Sequence, residues 1–243
     1  MSNILVEQHA FVLHSRPFKE NQQLVELLTE DEGKVLALVY VGQSKRSIKK
    51  GMIQPFLPLK LMYKGNDSGL KRITVIESTG NSYPLSKNRL YCGFYINELL
   101  VRLLTNDIVC DGLFKQYQLT LASLAKDLPI APQLRQFELS LLAELGLSFD
   151  FSPVLNRGND NIIGFYYIAD EGFIPAYNYS VSNITTPWFK VAHLQDIAHY
   201  IHHGKALIEN EAEQTFKLLM RNVLNHLLDG KPLHSRKLFE KRS

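Results

Sequence analysis

Cysteine is scarce in this sequence: Cys92 and Cys110 are the two in 243 residues. Neither belongs to a Cys-x-x-Cys pair. A structural zinc site needs about four Cys or His ligands at close spacing, so no metal is expected. Long apolar runs are missing as well. No segment approaches the roughly 18 consecutive apolar residues of a spanning helix. The N-terminus lacks the basic flank and apolar run of a secretory signal. These absences predict a reduced, cytoplasmic protein with no membrane partner. Catalytic signatures are absent too: there is no Gly-rich phosphate loop, no GxSxG elbow and no HExxH helix. The eight histidines are scattered, and the adjacent His202 and His203 cannot share one helical face. Acidic pairs such as Asp31–Glu32 fall in turns. The pattern favours a binding protein over an enzyme, with no cofactor.

One further absence is local. Between Gly33 and Asn66 there is no carboxylate, while seven lysines or arginines fall in those 34 residues: Lys34, Lys45, Arg46, Lys49, Lys50, Lys60 and Lys64. Four of them crowd the polar stretch from Gln43 to Gly51. The whole chain is only +3, so this charge is concentrated. A one-sign field on a loop between strands suits a polyanion such as a nucleic-acid backbone. A solvated basic turn looks the same from sequence. Residues 1–80 are net +3, residues 81–230 net −4 and residues 231–243 net +4. The two ends can face a polyanion, whereas the middle cannot do so uniformly.

The hydrophobic pattern changes period once. Ala10–Arg16, Leu24–Thr29, Lys34–Val41, Gln54–Tyr63 and Leu70–Glu77 read as short strands separated by turn signals. Five such strands in about 80 residues fit a small closed barrel, with an oligonucleotide-binding (OB) barrel the leading candidate. After Ser86 the spacing becomes helical. Leu90, Phe94, Val101 and Leu104 mark one helix, and Asp111–Ala125 a second. Pro132 opens a third that runs to Gly146. Residues 149–188 turn irregular and aromatic, with a small β excursion at Phe165–Ile168 and Gly172–Pro175, and Glu211–Leu228 is a further helix. The expected class is α+β: an OB-fold β-barrel over residues 1–80, then a mainly α-helical domain over 81–243. That domain carries the insert at 149–188 and a basic tail at 231–243.

Several motifs resemble one family in register. They are Ala10-Phe-Val-Leu-His-Ser-Arg-Pro17, Ser44-Lys-Arg-Ser47 with Gly51 and Gln54-Pro-Phe56, and Tyr95-Ile-Asn-Glu-Leu-Leu100. Arg135 with Phe137-Glu-Leu139, and Gly230-Lys-Pro-Leu-His-Ser-Arg-Lys-Leu-Phe239, extend the match along nearly the whole chain. Together they resemble the RecO family of bacterial recombination mediators, in its gammaproteobacterial form. The resemblance implies binding of ssDNA and dsDNA, annealing of complementary strands, and partnership with RecR in helping RecA replace single-stranded-DNA-binding protein (SSB). It places the protein at the nucleoid. Many members carry a four-cysteine zinc site in the C-terminal domain. This chain has Phe149-Asp-Phe-Ser-Pro-Val-Leu-Asn-Arg-Gly-Asn-Asp160 in that region, and aromatic packing is expected in place of zinc.

For DNA, the candidates are Arg16, Lys34, Ser44, Lys45, Arg46, Lys49 and Lys50, which would neutralise phosphates without reading bases. Ser47 could add a hydroxyl contact. Tyr40, Phe56 and Tyr63 lie on candidate strands, as core residues or as stacking platforms. The C-terminal Lys231, Arg236, Lys237, Lys241 and Arg242 could extend the track or lie in a solvated tail. In the helix from Pro132, Leu134, Phe137, Leu141 and Leu145 form a core stripe, and Arg135, Leu139 and Leu142 form a second one headed by a cation. Family resemblance identifies that second stripe with the site for the SSB C-terminal tail, with Arg135 gripping the terminal carboxylate. The opposing reading pairs Arg135 with a neighbouring acid and buries both stripes. An adaptor that recruits RecR with incidental DNA contact is the competing functional class.

Overall fold

A computed structural model describes residues 5–42, 47–65, 69–110, 112–156, 161–177, 187–204 and 210–240. The chain folds into two compact units. One is Met1–Gly146 with Pro232–Ser243, and the other is Leu147–Lys231. The composition shift near residues 80–86 therefore falls inside the first unit, where the barrel hands over to helices.

The barrel is built from β1 (Leu5–Phe18), β2 (Gln22–Thr29), β3 (Gly33–Tyr40), β4 (Leu59–Lys64) and β5 (Lys71–Ser78). The strands close in the order β1-β2-β3-β5-β4. All neighbours are antiparallel except β3 and β5, which run parallel. Val12, Val25, Leu27, Val35, Ala37, Val39, Leu59, Leu61 and Tyr63 point inward and are buried. A one-turn helix, α1 (Ile48–Met52), lies between β3 and β4.

Pro17 does not end β1, which continues one residue further. Only the Leu5–Ala10 half of β1 pairs with β4, whereas Pro17 faces Gln23 of β2 alone. Proline is tolerated at such a one-sided position, because the missing N–H faces away from the ladder. The strand expected from Gln54 begins instead at Leu59. Phe56, at φ 65°, turns the chain before it.

β1 also skips register between Val12 and His14, which leaves Leu13 as the extra residue of a bulge. A bulged residue loses its ladder partner and must find another. Asn97 supplies it from helix α2 (Lys87–Leu103): its Nδ2 donates to the Leu13 carbonyl at 3.0 Å. The Asn97 Oδ1 accepts from Tyr117 Oη at 2.7 Å, on α3 (Leu113–Ala125). Phe11 packs edge-on against Tyr117 with ring centroids 5.1 Å apart. Gly33 makes a second close contact. It has φ 68°, and any Cβ there would overlap the Ile108 carbonyl. The α2–α3 connection thus lies directly on the barrel, and the Asp107 N–H donates to the Lys34 carbonyl at 2.8 Å.

Helix α4 (Ile130–Glu144) completes the main helices of the first unit. Its start differs from the expected Pro132, which is the third helical residue rather than the first. After the second unit the chain returns: Leu233 and Ser235 are buried, in a 3-10 turn at His234–Arg236 followed by a short helix, Lys237–Glu240. The tail is therefore anchored through Leu233 and Ser235, while Lys231 and Lys237 stay exposed. Lys241 and Arg242 lie outside the described residues.

The second unit opens with the short helix α5 (Ser152–Leu155). It has a three-stranded antiparallel sheet ordered β7-β6-β8, from β6 (Ile162–Ile168), β7 (Gly172–Tyr177) and β8 (Phe189–Lys190). Phe149, Phe151, Tyr167 and Phe173 cluster beside it, with Phe151–Phe173 centroids at 4.9 Å and Tyr167–Phe173 at 5.0 Å. Helices α6 (Val191–His203) and α7 (Asn210–Leu227) pack together, with Leu194, Ile197, Phe216 and Leu219 buried and the Tyr200 and Phe216 rings 6.1 Å apart. α6 goes unread in the sequence. Residues 157–160 of the region read for zinc lie outside the described residues. Among the described residues no group of three or more His, Cys, Asp or Glu could hold a metal ion.

Asn97 satisfies two buried polar groups at once. Asn97→Ala orphans both the Leu13 carbonyl and the Tyr117 hydroxyl and should lower unfolding stability by roughly 2–5 kcal/mol. Guanidinium unfolding at neutral pH measures this directly.

Candidate nucleic-acid interface

The barrel carries the basic residues, but they divide into two sets. Arg16 is exposed near the end of β1, and Lys50 is exposed on α1 with Lys49 half-buried beside it. Ser47 precedes them, half-buried. Ser44, Lys45 and Arg46 lie outside the described residues. Arg16 pairs with Leu24, and Leu24 with Leu38, two residues before β3 ends. The chain that carries Lys45 and Arg46 leaves from that end of β3.

Lys34 belongs to the other set, against the expectation that it meets DNA. It is 7% exposed, and its Nζ donates to the Val101 carbonyl at 2.7 Å. That carbonyl lies in the last turn of α2, where helix carbonyls lack intrahelical partners. Burial pushes the Lys34 ammonium below its ordinary pKa, against the opposing pull of Glu26. A lysine committed in this way ties the barrel to α2 and cannot reach a phosphate. Lys60 is also engaged, 2.8 Å from Glu7 in an exposed pair. Lys71, just beyond the acid-free stretch, is buried between Glu32 at 3.6 Å and Asp107 at 3.5 Å. The charge run is therefore less uniform in space than in sequence.

The aromatic candidates also separate. Phe56 and Tyr63 are buried core residues, at 4% and 1% exposure, while Tyr40 is 59% exposed. Phe18, which no sequence motif singles out, is 36% exposed.

On α4 the cationic stripe has a specific environment. The Arg135 Nη1 lies 2.6 Å from Glu138 Oε2, and Tyr95 Oη donates to Glu138 Oε1 at 2.6 Å. Glu138 is fully buried. Burial raises its carboxyl pKa, while Arg135, Tyr95 and Arg236 act to lower it. Leu139 is half-buried and Leu142 is 1% exposed, so Leu142 belongs to the core and does not line an open surface. Because the helix starts at Ile130, Arg135 sits in its second turn. The unpaired N–H groups of the first turn lie behind it, so the helix N-terminus adds no anion-binding donors beside Arg135.

The Tyr95-Ile-Asn-Glu98 motif becomes intelligible as a set of anchors. Tyr95 reaches Glu138 on α4, and Asn97 reaches β1 and α3. Glu98 accepts the backbone N–H groups of His234 and Ser235, both at 2.8 Å. Arg102 donates to the Pro232 carbonyl at 3.0 Å and lies 3.6 Å from Glu98. Burial alone would raise the Glu98 carboxyl, but the Ser235 and His234 donors outweigh it and hold the pKa below its usual range. Beside this anchor a cavity of about 460 Å³ opens among Leu13, His14, Phe94, Val101 and Leu238. Arg135, Leu139 and Leu142 are not part of it.

Residues 1–81 match the family model "Recombination protein O N terminal", and residues 86–237 match "Recombination protein O C terminal". The chain belongs to the RecO family. It is 36% identical over 236 residues to a DNA repair protein RecO of Cellvibrio japonicus, covering 96% of this chain and 95% of that one. It is 37% identical over 235 residues to a DNA repair protein RecO of Pasteurella multocida, with 96% and 93% covered. The corresponding values for the Haemophilus influenzae Rd protein are 35% over 242 residues, with 96% and 94% covered. Family membership supports a role in DNA repair, and the five-stranded closed barrel fits the family's OB-like N-terminal domain. No helix among the described residues is long and apolar enough to cross a membrane.

Lys34→Met should lower thermal stability yet leave the salt slope of any DNA binding unchanged, which titrations at several ionic strengths will test. The depressed Glu98 pKa stabilises the fold above the unfolded value of about 4.3. That stabilisation is lost as pH falls through the lower folded value. The protection factors of the His234 and Ser235 amides, measured relative to intrinsic exchange at each pH, should therefore fall as pH drops through the depressed Glu98 pKa, and Glu98→Gln should give the low protection already at neutral pH.

Proposed function

We propose that this protein is a non-catalytic recombination mediator that binds ssDNA and dsDNA, anneals complementary strands and, with RecR, helps RecA replace SSB. It acts in the cytoplasm at the nucleoid. The observation that carries this reading is an OB-like barrel with exposed cations at Arg16 and Lys50, alongside the acid-free stretch that contains Ser44, Lys45 and Arg46. Lys49 stands beside Lys50. Such an array neutralises phosphates irrespective of sequence, as an annealing protein requires.

The same reading assigns the SSB C-terminal tail to α4. Arg135 is the cation for the tail's terminal carboxylate, and Leu139 offers the adjacent apolar surface, with Leu142 packed behind it. Arg135 already rests on a carboxylate, Glu138. An incoming carboxylate would compete with Glu138 for the guanidinium, while Tyr95 and Arg236 remain near Glu138.

Strand annealing of complementary oligonucleotides, with and without SSB and at two salt concentrations, tests the main claim. Failure to anneal in every condition overturns it and leaves the adaptor reading, in which the barrel recruits RecR. Each phosphate contact contributes about 0.7 to the log–log salt slope on single strands. Paired substitution of Lys45 and Arg46 by Ala should thus reduce the slope by roughly 1.4, as should the Lys49/Lys50 pair. Arg135→Ala should abolish binding of an SSB-tail peptide in fluorescence anisotropy and spare naked DNA.

A further inference from the structure

The exposed rings of Phe18 and Tyr40 are brought together by strand register. Phe18 pairs with Gln22 across β1 and β2, and Gln22 pairs with Tyr40 across β2 and β3. Directly paired residues project from the same face of a sheet. Phe18, Gln22 and Tyr40 therefore form one row. Neighbouring strands lie about 4.8 Å apart, which sets the two aromatic positions roughly 10 Å apart. The next row on this face is Arg16, Leu24 and Leu38, with Arg16 exposed. The opposite face carries Val25, Ala37 and Val39, at most 1% exposed in the barrel interior. The aromatic row is thus on the outside of the barrel.

Its surroundings are cationic. Lys19 follows Phe18 in a left-handed turn, at φ 52°, with its Nζ 5.6 Å from the Phe18 ring centroid. Tyr40 leads through Val41 and Gly42 into the basic stretch. Along β2 and the turn before it the acids are Glu20, in the turn, and Glu26, two rows away and 3.6 Å from His14. A ligand suited to this row presents flat apolar faces and negative charge together. Unpaired bases on a phosphodiester chain do so. A duplex offers the same phosphates but keeps its base faces stacked inside.

We propose that Phe18 and Tyr40 are a stacking platform for unpaired bases, with Arg16 and Lys19 on the flanking phosphates, so that this row favours single-stranded over duplex DNA. The inference rests on the DNA-binding reading above and adds to it a strand preference that phosphate contacts alone do not supply. Gln22, between the rings, is placed to meet a base edge.

The test uses the full chain and fluorescence anisotropy with an oligothymidylate, the same strand carrying two abasic sites, and a duplex of equal length. Phe18→Ala and Tyr40→Ala should each weaken single-strand binding roughly tenfold, in keeping with the usual contribution of one stacked base. Duplex affinity and the salt slope should stay at wild-type values, and Tyr40→Phe should bind like wild type. Abasic sites should weaken binding to the wild type but not to the double Ala variant. Equal losses on single strand and duplex, unchanged single-strand affinity, or wild-type indifference to abasic sites would each overturn the platform. A wild type that binds neither strand form removes the underlying DNA reading, whereas loss of the platform alone leaves duplex binding intact.

Discussion

The extra residue in β1 sets a requirement that the first unit is arranged to meet. A bulge at Leu13 leaves a main-chain carbonyl without a ladder partner, and a buried carbonyl in that condition is costly. Asn97 answers it from α2 and is itself held by Tyr117 from α3. One carboxamide therefore fixes a strand and two helices relative to one another. A side chain without both a donor and an acceptor cannot serve both contacts. The Phe11–Tyr117 ring contact and the Lys34–Val101 hydrogen bond then reinforce the same seam from either side.

Around that point the other polar residues of the motif work outward. Residues 95, 97 and 98 are separated by about 200° and 100° around a helix, so they leave α2 in three directions. Tyr95 meets the buried Glu138, and Glu98 caps the returning C-terminal segment. Arg236 brings positive charge toward Glu138 from that same segment. Two acids on different helices, Glu98 and Glu138, therefore share one short basic stretch. The charge near the C-terminus, which resembles a nucleic-acid tail in the sequence, is partly spent inside the protein.

Much of the fold was legible because its signals are local. Turn residues and alternation marked the five barrel strands, and the change to helical spacing marked α2 to α4. The register of β1 was not legible, since a bulge depends on a partner some 84 residues away. The strand reading Ala10–Arg16 stops short of Pro17 and Phe18, because sequence does not show that Pro17 pairs on one side only. Among the site residues, Arg16 and Lys50 stayed exposed as their charge suggested. Lys34 did not: a lysine beside a β-turn looks solvated until a helix C-terminus is known to lie over it. The Arg135–Glu138 pair was readable at its i, i+3 spacing, but the burial of Glu138 was not. Phe18 and Tyr40 are twenty-two positions apart and were joined only by two strand registers.

The return of the C-terminal segment has a consequence for synthesis and assembly. Glu98 meets Ser235 across 137 positions of chain, with all of the second unit threaded between them. The barrel and its helices are thus a discontinuous body that encloses a continuous one in the order of translation. Contacts of such long range close late and slowly. The segment that covers α2 is made after all of the second unit, so during synthesis the Glu98 carboxylate waits for the His234 and Ser235 donors until the end.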